Sequence, residues 1–425
     1  MVYNYFEQRE VLFVDFLVSD YGALGDGKTM NTNTIQASID ECNKHGGGRV
    51  VIDDGVFLTG TLILKENVEL HITASAVLLG SQNYNDYPEI ENVRHVSTKD
   101  LPRYRNACLI FAEECKNISI TGMGKIDCNG LNFVKKKKEY NGGWKYERID
   151  APTPPRVVFF TGCKNVRIED ITMVNQPSGW SYWIHDCDFV DFDRLKILAD
   201  VEYPNNDGIH INSSRNVTVS NCSIVTGDDC IIVRANNRSL SKNKICEKVT
   251  VTNCNLTSYA CGIRIGWLND GVIKNCTFSN IVMTDTNVGI GIRLPGHAVD
   301  EKWADEGRED TLIENLLFDN IIMDEIYGTP IKCSICDSSI VRCDAIQNIR
   351  FNNIHAKGLE FPYFSGRKNN KLKNITIGSC SFEKVSDDKL KDYKEHGAFW
   401  GRPINNPIFS HITNLTVNNT SFTAE

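Results

Sequence analysis

A short phrase recurs along most of this 425-residue chain and constrains its fold more than any other feature. In each copy a turn residue, usually Asn, precedes alternating apolar and polar residues, and a second turn residue then precedes another alternating stretch. Copies begin at Asn117, Asn165, Phe189, Asn216, Lys248, Asn275, Asn315, Asn348, Asn374 and Asn414. Alternation of this kind, rich in Val, Ile and Thr, predicts short strands. Most neighbouring copies are 24 to 33 residues apart, which is typical of a solenoid with several strands per turn.

The period favours an all-β fold, a single right-handed parallel β-helix. Leucine-rich repeats have a similar period, but the chain lacks their LxxLxL pattern and its paired helix. Propeller blades need roughly 40–45 residues, which most of the spacings do not reach. We expect alternate residues of each coil to stack inside the solenoid on their equivalents in the next coil. Four residues are expected to form a ladder of side-chain hydrogen bonds at one corner: Asn221, Asn253, Asn280 and Asn320.

The sequence also predicts the ends of the solenoid and the loops between its coils. A β-helix exposes strand edges at its terminal coil, so a cap is expected. Residues 32–45 carry apolar residues at helical spacing, which predicts an amphipathic capping helix. We expect residues 1–31 to form an N-terminal segment with strands and residues 46–425 to form the coils. Loops 128–155 and 295–311 interrupt the repeat and are predicted to flank a cleft.

Composition narrows the class of protein. The chain has 46 Lys and Arg against 54 Asp and Glu, a net charge of −8, which excludes a general nucleic-acid-binding coat but not a local basic pocket. No window reaches 18 consecutive apolar residues, so no membrane association is expected. The first residues lack the basic and apolar regions of a signal peptide. The 16 cysteines are therefore expected to be reduced, mostly buried residues of a cytoplasmic protein.

Two short acidic motifs are the strongest chemical signal. The first, NNDG, contains Asn205 and Asp207, and the second, TGDDC, contains Asp228 and Asp229. The 21 residues from Asp207 to Asp228 are close to one coil, so we expect the motifs to lie one strand spacing, about 5 Å, apart. Each motif alone is also an ordinary turn sequence. Three carboxylates on one outer face are costly unless one is protonated or a substrate uses them, and they suit acid–base cleavage of a glycosidic bond.

Basic and aromatic residues follow on neighbouring coils. Alternation predicts that Arg264 and Arg293 point outward beside the acids, where they could hold an anionic sugar; solvated arginines are the alternative. Tyr327 falls about one coil further along. His185, one coil before the acids, and His210, next to them, are further candidates for substrate contact. Ordinary surface packing is the alternative for both histidines.

The order of these motifs resembles glycoside hydrolase family 28, the polygalacturonase family. The stretch DYGALGDGKTMNTNTIQASIDECNKHGGGRVVI is similar to its bacterial, often exo-acting members, and the resemblance runs from about Val18 to the end of the chain. It implies an inverting hydrolase of pectic oligosaccharides that needs no metal or cofactor. It also implies that Asp228 is the general acid and that Asp207 and Asp229 activate the attacking water. Inversion leads us to expect carboxyl groups roughly 6.5–9.5 Å apart.

Three further residues match motifs of this family, and two positions depart from its motifs in a way that affects the expected substrate. Asn205 matches the family's motif asparagine, Arg293 matches the arginine of its RIK motif, and Tyr327 matches its active-site tyrosine. The histidine of the GHG motif is Cys261 here, and the lysine of the RIK motif is Pro295. In polygalacturonases the arginine and lysine hold the galacturonate carboxylate. Arg264 replaces the motif's serine and is expected to supply the lost cation, so an acidic galacturonan or rhamnogalacturonan-type oligosaccharide is the expected partner.

Two other functions remain open from the sequence. A polysaccharide lyase on the same fold would use calcium and a Lys or Arg base, and aspartates beside arginines are compatible with it. A non-catalytic β-helix could instead bind a glycan or assemble as a trimer. Three aligned aspartates argue against that interpretation, because a binding surface has no need for them.

Overall fold

The computed structural model describes residues 14–90, 93–97, 106–139, 143–267, 270–294, 311–335, 345–386 and 404–424. Its α-helix is α1 (Thr32–Lys44), and short 3₁₀ turns lie at Val18–Tyr21, Tyr84–Asp86 and Gly130–Phe133. The strands are, in chain order, β1 (Asp15–Leu17), β2 (Asp26–Met30), β3 (Gly48–Ile52), β4 (Gly55–Thr59), β5 (Leu62–Ile63), β6 (Val68–Ile72), β7 (Ala76–Gly80), β8 (Ile110–Glu113), β9 (Lys116–Thr121), β10 (Lys125–Asp127), β11 (Val134–Lys136), β12 (Tyr146–Arg148), β13 (Arg156–Thr161), β14 (Lys164–Glu169), β15 (Thr172–Val174), β16 (Trp180–His185), β17 (Asp188–Asp193) and β18 (Lys196–Leu198). They continue as β19 (Ile209–Asn212), β20 (Arg215–Ser220), β21 (Ser223–Thr226), β22 (Ile231–Arg234), β23 (Cys246–Ser258), β24 (Cys261–Ile265), β25 (Val272–Met283), β26 (Val288–Leu294), β27 (Leu312–Ile326), β28 (Ile331–Ile335), β29 (Ile346–Gly358), β30 (Tyr363–Ser365), β31 (Leu372–Gly378), β32 (Ser381–Lys384), β33 (Ile408–Ser410), β34 (Ile412–Asn418) and β35 (Ser421–Ala424).

The strands stack in three parallel series, one strand of each series per coil. The first series begins β1, β3, β6, β9, and the second begins β2, β4, β7, β10. The long strands β23, β25, β27 and β29 take part in both. The third series runs β5, β8, β13, β16, β19, β22, β24, β26, β28, β30, β33. The predicted right-handed parallel β-helix is confirmed.

Identical residues stack through the centre of the solenoid. The rings of Phe278, Phe318 and Phe351 are fully buried and nearly parallel, with neighbouring centroids 4.8 Å and 5.0 Å apart. These separations equal the spacing of parallel strands, about 4.8 Å, because each ring sits at the same position of its coil. The period-2 alternation thus produces one continuous core along the axis.

The predicted asparagine ladder occurs in part. Asn253 donates to Asn221 at 3.3 Å and Asn320 donates to Asn280 at 2.7 Å, but Asn280 donates to the hydroxyl of Thr252 at 3.4 Å instead of to Asn253. All four asparagines have φ near +56°, in the left-handed region that Asn tolerates better than most residues. Backbone conformation and side-chain bonding therefore both favour Asn at this corner.

A second ladder lies at the other turn of the phrase. Each side-chain amide donates to the equivalent residue one coil earlier, at 2.7 to 3.3 Å. Its members are Asn275, Asn315, Asn348, Asn374 and Asn414.

The N-terminal cap is α1, which buries Ile35, Ile39 and Cys42 and ends one residue before the predicted boundary. Residues 1–13 of the predicted N-terminal segment lie outside the described residues, and β1 and β2 belong to the rest of it. Loop 128–155 carries the one antiparallel strand pair among the described strands, β11 with β12. Loop 295–311 lies outside the described residues except for its last residue.

The described cysteines and helices relate to the expectations about disulfides and about membrane-spanning segments. All 14 cysteines that the structure describes are free, and all except the half-buried Cys115 are buried. In the described ranges no helix combines the length and the apolar character needed to cross a membrane.

Phe318→Ala is expected to lower the free energy of unfolding by about 3–5 kcal/mol, because it removes a fully buried ring between two others. Ile322→Ala, on the outer face of the same strand and 53% exposed, should change it by less than about 1 kcal/mol. Urea unfolding followed by circular dichroism measures both variants. Equal effects would contradict the assignment of inward and outward faces.

Candidate active site

The three predicted acids lie together before two neighbouring strands of the third series. Asp207 precedes β19, and Asp228 and Asp229 precede β22. These strands pair in parallel with Ile209 beside Ile231, so Asp207 comes next to Asp229 of the following coil. One oxygen of each carboxylate lies within 4.8 Å of the other two. The carboxylates are therefore closer than the roughly 6.5–9.5 Å expected from inversion.

Close backbone approach explains the glycines of both acidic motifs. A Cβ on Gly208 would overlap the carbonyl oxygen of Cys230, and a Cβ on Gly227 would overlap that of Tyr203. Neither position accepts a side chain unless the backbone moves. Asn205, which begins the first turn, has φ +54°. The turn sequences are thus required by the tight stacking of the two coils.

Asp228 is buried and accepts hydrogen bonds on both oxygens. Its Oδ2 accepts the backbone N–H of Asn205 at 3.2 Å and the side-chain amide of Asn205 at 3.0 Å, and its Oδ1 accepts the N–H of Asp229 at 3.0 Å. Burial raises the pKa of Asp228 well above its usual range, and the nearby carboxylates of Asp207 and Asp229 raise it further. Asp228 therefore keeps its proton at pH values where an exposed aspartate has lost it.

His210 contacts the acids directly. Its Nε2 lies 3.0 Å from Oδ2 of Asp207, and its ring stacks on Trp180 with centroids 4.1 Å apart. Both His210 and Asp207 are about 95% buried. Stacking on Trp180 fixes the plane of the imidazole, so the histidine can orient the carboxylate of Asp207.

Arg264 lies at the acids but not on the surface where alternation predicts it. Its Nη1 is 3.8 Å from Oδ2 of Asp229, and its guanidinium carbon is 3.8 Å from the centre of the Trp267 ring. The residue is 3% exposed, because the indole covers it. Nε and Nη2 of Arg264 are buried and make no hydrogen bond to the described residues. Burial lowers the pKa of Arg264, and Asp229 opposes that shift. Buried guanidinium donors of this kind suit a carboxylate ligand.

Positive charges surround Asp229. Burial raises the pKa of Asp229, whereas the charges of Arg264, His210, Arg234 and Arg293 lower it. Arg293 is half-buried on β26, two strands along the third series from β22, and thus lies on the same side of the acids as Arg264. The sequence analysis did not single out Arg234, although it ends the strand that follows the TGDDC motif.

Tyr327 lies further along the third series than the other candidates that follow the acids. Its hydroxyl donates to Oδ1 of Asp285 at 2.7 Å, and its ring packs edge-on against Tyr259. Tyr327 precedes β28, three strands beyond β22 in the third series, which places it roughly 14 Å from Asp229 at the usual strand spacing. A substrate contact at that distance would be with another sugar unit than the one being cleaved.

The structure places His185, a candidate for substrate contact, in the interior and not at an accessible surface. His185 is 1% exposed, its Nε2 lies 2.9 Å from the hydroxyl of Ser239, and its Nδ1 contacts the side chain of Asn212. Burial lowers its pKa to about 3. The loop that carries Ser239 covers this part of the sheet, which strand alternation alone does not indicate.

Two residues of the hairpin β11–β12, in the loop 128–155 that was predicted to flank the cleft, reach the acid-bearing turns. Trp144 donates its indole N–H to the carbonyl of Gly227, and Nη2 of Arg148 donates to Oδ1 of Asn205 at 2.6 Å. The sequence predicted that this loop flanks the cleft, but not that Trp144 and Arg148 bond to the acid-bearing turns. A loop outside the repeat has no register that would predict its contacts.

The three acids are also, among the residues the structure describes, the one group of side chains able to hold a metal ion together. Carboxylate oxygens are ligands that Ca²⁺ and Mg²⁺ accept. A cation would require Asp228 to lose its proton, whereas burial favours the protonated form. Arg264 adds a positive charge beside Asp229, which disfavours a second cation. The arrangement suits proton transfer better than metal binding.

Comparison with known proteins points to one family. The family model described as glycosyl hydrolases family 28 matches residues 90–390. The chain is 28% identical over 282 residues to a probable polygalacturonase of Vitis vinifera, covering 64% of this chain and 56% of that one. It is 29% identical over 253 residues to an exo-poly-alpha-D-galacturonosidase of Dickeya chrysanthemi, covering 50% and 41%. The chain thus spans about half the length of these two relatives.

A solved structure agrees in fold. The exopolygalacturonase of Thermotoga maritima superposes with a TM-score of 0.68 over 95% of this chain and 92% of that chain. Its sequence is 18% identical, so this likeness concerns the fold alone.

Asp228→Asn is expected to raise stability at neutral pH. The pKa of Asp228 is higher in the folded protein than the value of about 3.9 in an unfolded chain, so the folded state binds the proton more tightly and stability falls as pH rises above that value. An amide does not ionise, so the gain in the free energy of unfolding should be absent near pH 3.5 and should grow toward pH 7. Urea unfolding at several pH values measures it, with Asp191→Asn on the exposed face of β17 as the control. A gain independent of pH would contradict the raised pKa.

Proposed function

The chain belongs to glycosyl hydrolase family 28, and we propose that it cleaves α-glycosidic bonds of acidic pectic oligosaccharides by removing units from a chain end. The observation that carries this proposal is the buried cluster of Asp207, Asp228 and Asp229, in which burial and like charge keep Asp228 protonated. A protonated carboxyl beside ionisable ones is the pair of groups that glycoside hydrolysis requires.

The proposed reaction uses the acids in different roles. Asp228 gives its proton to the glycosidic oxygen as the bond from that oxygen to the anomeric carbon breaks. A water molecule adds to the anomeric carbon and loses its proton to Asp207 or Asp229. Asp207 or Asp229 then releases the proton to solvent and Asp228 regains one, so one water is consumed per bond. Contact with His210 supports Asp207 as the ionised base, since a protonated imidazole favours a neighbouring carboxylate.

We propose inversion at the anomeric carbon, which the family resemblance implies. The carboxylate oxygens approach within 4.8 Å, whereas inverting enzymes typically have carboxyl groups roughly 6.5–9.5 Å apart and retaining ones about 5–5.5 Å. An ionised carboxylate can serve as the base of inversion or as the nucleophile of retention, so ionised Asp207 or Asp229 is compatible with both outcomes. The configuration of the first product decides between them.

An acidic substrate is supported by the cations around Asp229. Arg264 has two buried nitrogens, Nε and Nη2, that make no hydrogen bond within the described part of the chain, and Arg293 lies on the next strand of the third series. A uronate carboxylate can accept from such donors in a bidentate manner. We propose that Arg264 takes over the task of the histidine and lysine that the family has where this chain has Cys261 and Pro295.

Exo-action is supported by the cover over one side of the acids. Ahead of β19, Phe111, Phe159 and Trp183 of the third series are buried in a separate apolar cluster with Val96 and Cys108. The N–H of Ser97 donates to the carbonyl of Ser239 at 2.8 Å, so two loops meet over this cluster. A groove closed on one side admits a chain end and excludes a long chain passing through.

A calcium-dependent lyase is the second candidate, and the close approach of the three carboxylates is the observation that favours it. Its product would contain an unsaturated sugar, which absorbs in the ultraviolet, whereas hydrolysis gives none. The cytoplasmic location also stays a prediction, supported by the free cysteines of the described residues.

The test of the function is a panel of galacturonan and rhamnogalacturonan oligosaccharides. We expect single-unit products without ultraviolet absorbance, unaffected by EDTA, and a first product in which nuclear magnetic resonance detects the β-anomer. Asp228→Asn should lower kcat by about 100- to 10,000-fold, as expected for loss of a general acid, and Asp191→Asn should not. Unchanged cleavage and product profile in Asp228→Asn would mean that the hydrolase assignment is wrong. A first product with the α-anomer would instead show retention.

Arg264→Gln is expected to raise KM for a uronate oligosaccharide about tenfold or more, because a charge-assisted contact to the carboxylate is lost. Carboxyl-reduced oligosaccharide serves as the matched substrate, and its kinetics should change much less. Arg167→Gln, an exposed arginine on β14, is the control for general loss of charge. An equal rise in KM for both substrates would mean that Arg264 acts on Asp229 and not on the carboxylate of the substrate.

A further inference from the structure

The hairpin β11–β12 lies outside the repeat but is bonded to the turn that precedes β19. Nη2 of Arg148 donates to Oδ1 of Asn205 at 2.6 Å, and Nε of Arg148 donates to the hydroxyl of Ser178 at 2.8 Å. The Ser178 hydroxyl in turn donates to the carbonyl of Pro204 at 2.7 Å. Arg148 thus holds both the backbone and the side chain at the start of the acid-bearing turn.

Arg148 decides which way the amide of Asn205 points. A guanidinium has only donors, so the Asn205 atom that it contacts is the oxygen. The amide nitrogen then faces Oδ2 of Asp228, at 3.0 Å, alongside the backbone N–H of the same asparagine. Without Arg148 the amide could rotate and present its oxygen to Asp228.

The amide orientation in turn locates the acidic proton. A protonated carboxyl has one carbonyl oxygen, which accepts, and one hydroxyl, which donates. Oδ2 of Asp228 accepts two N–H groups from Asn205, whereas Oδ1 accepts one, from Asp229. The oxygen with two donors is the carbonyl, so the proton sits on Oδ1. A reversed amide would instead accept a proton from Oδ2.

We propose that Arg148 is a positioning residue that acts through Asn205 to keep the proton of Asp228 on Oδ1, ready for the leaving oxygen. The inference rests on the proposed function, since it concerns how that same acid is oriented. Arg148 comes from a segment that the repeat does not contain, and nothing in the acidic motifs themselves indicates it.

The kinetic test compares Arg148→Ala and Arg148→Lys with Lys135→Ala. Lys135 lies on β11 and pairs with the exposed Asp150, so its variant controls for loss of charge on the same hairpin. Arg148→Ala should lower kcat about 100-fold, as misplacement of a reacting group does, with KM changed less than about threefold. Arg148→Lys should recover part of kcat, because it keeps a donor and a charge. A rise in KM with kcat unchanged would make Arg148 a substrate ligand and overturn the proposal.

A double-variant cycle tests whether Arg148 acts through Asn205. Asn205→Ala alone should lower kcat, and adding Arg148→Ala should lower it no further than about twofold. Independent losses that multiply would overturn the proposal. The alkaline limb of the pH profile should move to higher pH in Arg148→Ala, because a cation near Asp207 and Asp228 is removed, and should stay in place in Arg148→Lys.

A structural readout separates this proposal from the proposed function. In a crystal structure of Arg148→Ala, the side chain of Asn205 should rotate away from its contact with Asp228, while Lys135→Ala leaves it in place. An unchanged Asn205 in Arg148→Ala overturns the positioning role even if no substrate has been found. If the wild-type chain cleaves no oligosaccharide of the panel but Asn205 rotates as expected, the proposed function fails and the positioning contact stands.

Discussion

Parallel pairing of each coil with the next, about 4.8 Å away, is the constraint on which the rest of this structure depends. Every side chain lies above its equivalent, whatever its chemistry. Inside, this stacks Phe278, Phe318 and Phe351 face to face. At the corners it links asparagine amides that share a left-handed backbone. On the outer face it brings carboxylates together, where stacking of like residues costs energy.

The protein relieves that cost by giving each acid a different environment. Asp228 is buried among N–H donors and stays protonated, Asp207 contacts His210, and Asp229 lies near Arg264. Burial and both neighbouring carboxylates raise the pKa of Asp228, whereas cations oppose the rise that burial causes in the pKa of Asp229. Different environments of neighbouring carboxyls are the condition for one to act as an acid while another acts as a base. Burial first, and then the crowding of the carboxylates, makes Asp228 a proton donor.

The features that follow from the repeat could be predicted from the sequence, but few of the other features could be. Alternation and period were sufficient for the β-helix, and one-coil spacing was sufficient to bring Asp207 to Asp228 and Asp229. Alternation tells which side of a strand a residue occupies but not what covers it. Arg264 is therefore buried under Trp267, and His185 under the loop of Ser239, although both were expected to be accessible. The contacts of the hairpin were unpredictable for the same reason, because no period relates it to the coils.

The departures from the family motifs can be understood together in terms of volume. A Cβ on Gly291 would lie 3.0 Å from Sγ of Cys261 and 3.7 Å from Cδ of Arg264, so the arginine fits against a glycine and a small thiol. Burial raises the pKa of the Cys261 thiol, which keeps it neutral beside Asp229. A histidine at position 261 would occupy space next to the Arg264 side chain. Arg264 thus reaches its place beside Asp229 through space that a glycine and a small thiol leave open, and it supplies a positive charge there.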